Sequence, residues 1–344
     1  MVGSHRRVGI VPYLRIARTR PHMALINRSS KWFRLVSLSV VGIAFIFIGK
    51  VFFGSLDNLS LKDLSINYAY LSIALFACVG TSALATYLWY LILRLLGEKP
   101  SFRYVWRVTI YTSIVRYLPG RIWGVMGRLH WGAKLGISEK KLLLSTLLEN
   151  AFLFVGGIIT SLYCLKLFVP GYYAVFSVLF TACILLMLHP RILARGASIV
   201  GRKWIKEPVV LNFGYSRVLL LALCYTLLWV VLGVQFYVFV RSFYPLALHH
   251  LPNFVSFNSA SWVIGYITLV TPGGLGIKEG VFVYVFKTMV PVPIAILAAV
   301  LLRIYGIVTE VIAALIVFAF DRGAWQDFFK QSKKKKSAQA PREM

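Results

Sequence analysis

The stretch Thr271-Pro272-Gly273-Gly274-Leu275-Gly276 interrupts an apolar segment, and Leu118-Pro119-Gly120 interrupts another at the corresponding place in the first half of the chain. Interrupted backbone at membrane depth is tolerated only where protein or a water-filled cavity shelters it. Paired interruptions in the two halves of a membrane protein are the sequence feature that best indicates a transport site. These two breaks therefore predict both the kind of fold and the region where function should be sought.

The composition predicts an all-α protein with several membrane-spanning helices. Of its 344 residues, 59% are hydrophobic and 14% are charged, whereas soluble domains carry about 25% charged residues. Several apolar runs approach or exceed the ~20 residues that a spanning helix needs. The four cysteines fall in apolar segments without CxxC spacing, which favours packing roles over a disulfide or metal site. We find no catalytic motif, and we predict neither an enzyme nor a cofactor or metal site.

The net charge of +27 is distributed as in a membrane protein rather than a nucleic-acid-binding protein. Most of the 38 Lys and Arg residues lie in five segments separated by apolar stretches: 1–34, 94–107, 128–141, 189–217 and 321–344. Lys and Arg concentrate in the cytoplasmic loops of membrane proteins. We therefore expect a multi-pass protein of the cell (inner) membrane with both termini cytoplasmic. Its basic arm (1–34) and basic tail (321–344) would lie near anionic headgroups, which makes membrane lipids, and not nucleic acid, its partners.

Hydropathy predicts two re-entrant hairpins, 108–127 and 254–290, each containing one break, and six full spans: 35–53, 68–93, 142–168, 172–188, 218–240 and 294–320. Basic sequence flanks the first hairpin on both sides, so we expect it to open to the cytoplasm. The second follows an outward-going span and should open to the outside. If each hairpin crosses the membrane twice, the number of spans becomes eight.

The order span, span, hairpin, span occurs twice, starting from opposite sides of the membrane. The sequence therefore predicts a transmembrane domain over residues 35–320, built from repeat one (35–168) and repeat two (172–320) in inverted orientation. Inverted repeats with broken helices are common among secondary transporters.

Ionisable residues inside a membrane are costly, and each is a functional candidate. Glu149 and Arg303 both lie near the expected midplane, on the helix that follows each hairpin. We expect them to pair across the two halves, either as a structural ion pair or as a substrate or gating site. Glu310 lies two turns beyond Arg303 on the same helix face.

Further candidates surround the two breaks. Arg116 and Arg121 bracket Pro119 and Gly120, and the planar fork of arginine binds two phosphate oxygens at once. The second break, with Pro272, Gly273, Gly274 and Gly276, leads into a helix that starts near Lys278 and Glu279. Free N–H groups at a helix start could receive an anion, although tight turns alone would also explain the glycines.

These motifs resemble the membrane domain of the lysylphosphatidylglycerol synthase family. The matching residues are Arg116-Tyr117-Leu118-Pro119-Gly120-Arg121-Ile122-Trp123, Gly127-Arg128, Gly136-Ile137-Ser138, Glu149, the block from Thr271 to Gly280, and Arg303. The resemblance implies a flippase that moves phospholipids or glycolipid precursors between leaflets, with the hairpins and intramembrane charges lining the path. Synthases of the family carry a soluble C-terminal aminoacyl-transferase domain, whereas this chain ends soon after Phe320. We therefore expect no aminoacylation of lipids by that route.

Two other functions remain open from the sequence. Membrane glycosyltransferases that use polyprenyl-phosphate sugars place acids in the first external loop, where Asp57 and Asp63 lie, but these two acids do not have the Asp-x-Asp spacing of a metal chelate. A non-transporting accessory protein that binds envelope-biosynthesis enzymes is the third possibility.

Overall fold

Helices make up the regular structure of the part of the chain that the computed structural model describes, which is residues 66–115, 122–133, 136–200, 211, 213–267 and 277–320. In chain order the helices are α1 (Tyr68–Leu95), α2 (Phe102–Val115), α3 (Ile122–Ala133), α4 (Glu139–Ser161), α5 (Leu165–Phe168), α6 (Tyr173–Met187), α7 (Pro190–Val200), α8 (Tyr215–Arg241), α9 (Leu251–Ile267), α10 (Ile277–Phe286) and α11 (Val292–Phe320). Short 3₁₀ helices, Leu162–Cys164 and Leu248–His250, precede α5 and α9.

Within these ranges, four helical segments are long and apolar enough to cross a membrane: Tyr68–Leu95, Glu139–Phe168, Tyr215–Arg241 and Val292–Val317. They coincide with four of the predicted spans. The predicted span 172–188 corresponds to α6, which forms a fifth candidate together with α7, although the two helices are bent by 72° at their junction. The predicted span 35–53 lies outside the described residues. The protein is therefore a multi-pass, all-helical membrane protein.

The two predicted hairpins correspond to two pairs of helices. The helices α2 and α3 pack against each other, and so do α9 and α10. The first pair extends over 102–133, which is longer than the predicted 108–127, because Arg103, Arg107 and Arg128 lie inside helices rather than in flanking loops. The break residues lie outside the described residues: Pro119, Gly120, Pro272, Gly273, Gly274 and Gly276.

Local capping fixes where α4 begins and hence how far along the helix each of its side chains lies. Gly136 has a φ of 75°, a conformation that glycine adopts readily. The hydroxyl of Ser138 then accepts a hydrogen bond from the backbone N–H of Lys141, which caps the helix. Counted from this cap, Glu149 lies about 16 Å along the helix axis, a distance of about half the thickness of a hydrocarbon core of ~30 Å.

The helix α8 occupies the centre of the packing and contacts α1, α4 and α9. Two glycines allow its neighbours to approach its backbone. A Cβ on Gly156 of α4 would lie 2.8 Å from the carbonyl carbon of Tyr225 in α8, and a Cβ on Gly233 of α8 would lie 2.4 Å from the Cα of Val255 in α9. Close approach at small residues is how helices associate in membranes. Gly156 therefore allows the two halves of the chain to pack closely, and Gly233 does the same for two helices of the second half.

Candidate functional site

Glu149 is buried in α4, with 7% of its surface exposed, and forms an ion pair with Arg128 of α3. Arg128 Nη1 donates to Glu149 Oε2, and Arg128 Nη2 donates to Glu149 Oε1 at 3.2 Å. Such a two-pronged contact is the strongest form of an arginine–carboxylate pair. The pair joins the second helix of the first hairpin to the helix that follows it.

A third helix holds the same arginine. The guanidinium carbon of Arg128 lies 4.2 Å from the ring centroid of Trp89 in α1, which is within the range of a cation–π interaction. The Trp89 indole N–H donates to the hydroxyl of Ser145 in α4 at 3.1 Å. Arg128, Glu149, Trp89 and Ser145 therefore form a cluster that fixes α1, α3 and α4 relative to one another.

The second half of the chain contains a matching pair with the charges exchanged. Arg303 Nη1 of α11 donates to Glu279 Oε1 of α10. The exposed fractions of these two side chains are 23% for Arg303 and 16% for Glu279, against 14% for Arg128 and 9% for Glu149. In the first half the hairpin helix carries the cation, and in the second half it carries the anion.

The predicted pairing of Glu149 with Arg303 is wrong. Each of these charges pairs with a residue of its own half, Glu149 with Arg128 and Arg303 with Glu279. The physical reason is proximity: α3 packs on α4 and α10 packs on α11, so each hairpin helix brings a partner to the helix behind it. Both charges are still paired within the helical bundle, as the cost of a lone membrane charge requires.

A chain of uncharged hydrogen bonds crosses the centre of the bundle. Thr81 of α1 donates to the side-chain oxygen of Gln235 in α8 at 2.8 Å. The Gln235 amide donates to the hydroxyl of Tyr305 in α11 at 2.6 Å, and that hydroxyl donates to the carbonyl of Ala74 in α1 at 2.5 Å. The sequence analysis did not predict this series of hydrogen bonds. The glutamine within an apolar 27-residue helix could have indicated it, because a buried amide needs hydrogen-bond partners.

Two of the other predicted site residues, Lys278 and Glu310, lie in helices of the structure, and the rest lie outside the described residues. Lys278 packs at the contact between α9 and α10. A Cβ added to Gly265 of α9 would lie 3.1 Å from the Cβ of Lys278. Glu310 is half-buried in α11. Arg116, Arg121 and the acids Asp57 and Asp63 lie outside the described residues. In the ranges that the structure covers, no three His, Cys, Asp or Glu side chains are placed to hold a metal ion.

The family model for the lysylphosphatidylglycerol synthase TM region matches residues 34–314. This match covers most of the chain and includes both ion pairs and the helix pairs α2–α3 and α9–α10. The protein therefore belongs to the lysylphosphatidylglycerol synthase transmembrane family, as the sequence motifs predicted. No curated protein matches the chain.

Proposed function

We propose that this protein moves a lipid, or a lipid-linked glycan, with an anionic phosphate-bearing headgroup between the two leaflets of its membrane. The observation that carries this proposal is the presence of two largely buried ion pairs among apolar helices, each linking a hairpin helix to the helix behind it. Polar groups of this kind mark substrate pathways in membrane proteins. Family membership supports the proposal, because the matched region is a membrane domain of proteins that handle a phospholipid.

We also infer that the two halves are inverted repeats. If α1 to α4 correspond to α8 to α11 in the same order, the contacts between helices match. The helix α4 contacts α8 and α9, and its counterpart α11 contacts α1 and α2; α1 and α8 contact each other. The two ion pairs lie at corresponding places under the same correspondence. The last helix of each half thus contacts the first two helices of the other half. Such reciprocal contacts are expected when two repeats are related by a twofold axis.

Each arginine of an ion pair is a candidate for binding the headgroup phosphate. A guanidinium that leaves its carboxylate can take up a phosphate in the same two-pronged geometry. The halves would then rock against each other while the headgroup passes from one side to the other, as in other transporters built from repeats. Arg116, Arg121 and Lys278 remain further candidates for phosphate contact.

The test is leaflet exchange of a fluorescent phosphatidylglycerol in liposomes that contain the purified protein. We expect exchange well above that of protein-free vesicles, and we expect Arg303→Glu to abolish the increase, because it sets two carboxylates against each other on α10 and α11. Arg191→Glu is the matched control, since Arg191 is exposed on α7 and far along the chain from both pairs. Wild-type exchange equal to that of empty vesicles would refute the proposal and favour an accessory role.

A further inference from the structure

We propose that Arg241, the last residue of α8, forms a site that binds the phosphate group of a lipid headgroup at one surface of the membrane. The inference rests on the proposed function and deepens it, because it names a residue and a surface at which the headgroup is bound. The charge distribution predicts that α8 runs outward, so we expect this surface to be the external one.

Arg241 differs from Arg128 and Arg303, which each pair with a carboxylate. Arg241 is half-buried. Within the part of the chain that the structure describes, it forms no ion pair, and its one hydrogen bond runs from Nη1 to the hydroxyl of Tyr237 at 3.3 Å. A guanidinium has five N–H donors, so most of them remain available to a ligand. The charge of this arginine is therefore free to attract an anion.

Two tyrosine rings hold the guanidinium in place. Its carbon lies 5.0 Å from the ring centroid of Tyr70 in α1 and 6.0 Å from that of Tyr237 in α8, within the range of cation–π interactions. Tyr237 is itself fixed, because it is 3% exposed, its hydroxyl donates to the carbonyl of Leu246 at 3.1 Å, and its ring packs edge-on against Phe254. The arginine is thus positioned before a ligand arrives, which lowers the entropic cost of binding.

The length of α8 indicates which anion is present at this site. The helix has 27 residues and is about 40 Å long. A hydrocarbon core is ~30 Å thick and a bilayer with its headgroups ~40–45 Å, so a spanning helix of this length ends among the headgroups. The backbone N–H of Asn67, which precedes α1, donates to the carbonyl of Ser242 at 2.7 Å, so α1 starts at the level where α8 ends. The anionic group at this level is the lipid phosphate, and arginine can bind two of its oxygens at once.

The first test measures lipid binding by the purified full-length protein in a neutral detergent. Phosphatidylglycerol is titrated, and the rise in the midpoint of thermal unfolding reports binding to the folded state. We expect Arg241→Gln to raise the half-maximal concentration about tenfold, which is equivalent to 1.4 kcal/mol. A diacylglycerol with the same acyl chains lacks the phosphate, and we expect it to stabilise the wild-type protein and the variant equally.

Lys166→Gln is the matched control for a cation at the same expected surface. Lys166 is exposed near the end of the segment Glu139–Phe168 and lies over one ring, that of Tyr163, at 5.8 Å. We expect this change to alter the half-maximal concentration by less than about twofold. Tyr70→Leu removes the nearer ring from Arg241 and leaves its charge, so it should raise the concentration about threefold. Equal effects of Arg241→Gln and Lys166→Gln would overturn the inference.

A measurement on the wild-type protein keeps the inference testable if a variant does not fold. Phenylglyoxal modifies arginines, and mass spectrometry of peptides gives the extent at each position. We expect phosphatidylglycerol to protect Arg241 more strongly than Arg191, which is exposed on α7, and inorganic phosphate at the same concentration to protect neither.

Equal protection of Arg241 by inorganic phosphate would assign the site to a free anion and overturn the lipid assignment, as would no protection by phosphatidylglycerol. Selective protection of Arg241 by phosphatidylglycerol in a protein that shows no leaflet exchange would support the site and refute the proposed function.

Discussion

Arg128 and Glu149 illustrate how strongly a charge in a membrane helix depends on its partner. Glu149 is buried, the side chain of Arg128 is only 14% exposed, and Trp89 covers the guanidinium. A buried ion pair contributes little net stability compared with apolar residues of the same shape, but removal of one partner leaves an uncompensated charge. The variants that report on this pair are therefore those that remove one charge only.

We expect Glu149→Leu to destabilise the protein by about 3–5 kcal/mol, because Arg128 is then buried without its carboxylate. Thermal unfolding in detergent should show a clearly lowered midpoint. The matched control is Lys141→Met, which removes a contact of 2.7 Å to Glu98 in a pair whose lysine is 42% exposed. That change should cost about 0–1 kcal/mol. Equal midpoints for the two variants would contradict the assignment of Arg128–Glu149 as structural.

The sequence predicted which membrane charges matter but not how they pair. Glu149 and Arg303 were identified from their depth in apolar helices, a property of the linear sequence. Their partners could not be identified in that way, because Arg128 lies in a basic segment that hydropathy assigns to a cytoplasmic flank. Only the packing of α3 on α4 brings Arg128 to Glu149. The criterion of an ionisable residue in an apolar helix does not identify Gln235, because glutamine carries no charge.

Among the helices, the contact between α8 and α9 depends on the absence of a side chain at Gly233. The Cβ of any other residue there would lie 2.4 Å from the Cα of Val255. Backbone atoms cannot move aside as the end of a flexible side chain can. The two helices would have to separate, and the central position of α8 would spread the disturbance to α1 and α4.

Gly233→Ala should therefore lower the free energy of unfolding by about 1–3 kcal/mol, as overpacking of a tight contact does. Gly80→Ala on α1 provides the comparison, since a Cβ there meets no atom within 4 Å. We expect this second change to be neutral or slightly stabilising, because alanine favours the helix more than glycine does. Unfolding in detergent measures both. A Gly233→Ala protein as stable as Gly80→Ala would show that the helices do not approach this closely.

The sequence predicts where the long apolar helices lie more accurately than it predicts the residues at which they begin and end. The second predicted span, 68–93, differs by two residues from Tyr68–Leu95, because its apolar run is long and its cap at Asn67 is clear. The predicted first hairpin, 108–127, is shorter than the observed helix pair, because the charges of Arg103 and Arg107 favour a loop in the hydropathy profile while both residues lie in α2. No helix-breaking residue separates them from the rest of α2, and helical geometry continues through them.

At the scale of the whole molecule, the orientation in the membrane follows from the charge distribution and remains a prediction. The basic segments 128–141 and 189–217 should face the cytoplasm, and the loop that contains Leu248–His250 should face outside. This arrangement is required if the two repeats are inverted. It is also the prediction that tests the repeat most directly.

Single cysteines introduced into a protein without its native cysteines would test this orientation. Glu139, Arg191 and Leu248 are exposed positions. We expect a membrane-impermeant maleimide to label Leu248→Cys in intact cells, and to label Glu139→Cys and Arg191→Cys only after the membrane is opened. Labelling of Glu139→Cys and Leu248→Cys from the same side would exclude the inverted arrangement.

The pairing of each of the four charges in the two ion pairs with an opposite charge has a consequence for how the protein responds to voltage. Each pair is electrically neutral while it is closed, so the potential across the membrane exerts no net force on it. A lone charge crossing the full potential would gain or lose ~2.3 kcal/mol per 100 mV. Because all four of these charges are paired, a closed pair that moves as a unit carries no net charge across the membrane, and the potential neither drives nor opposes that movement through the pair.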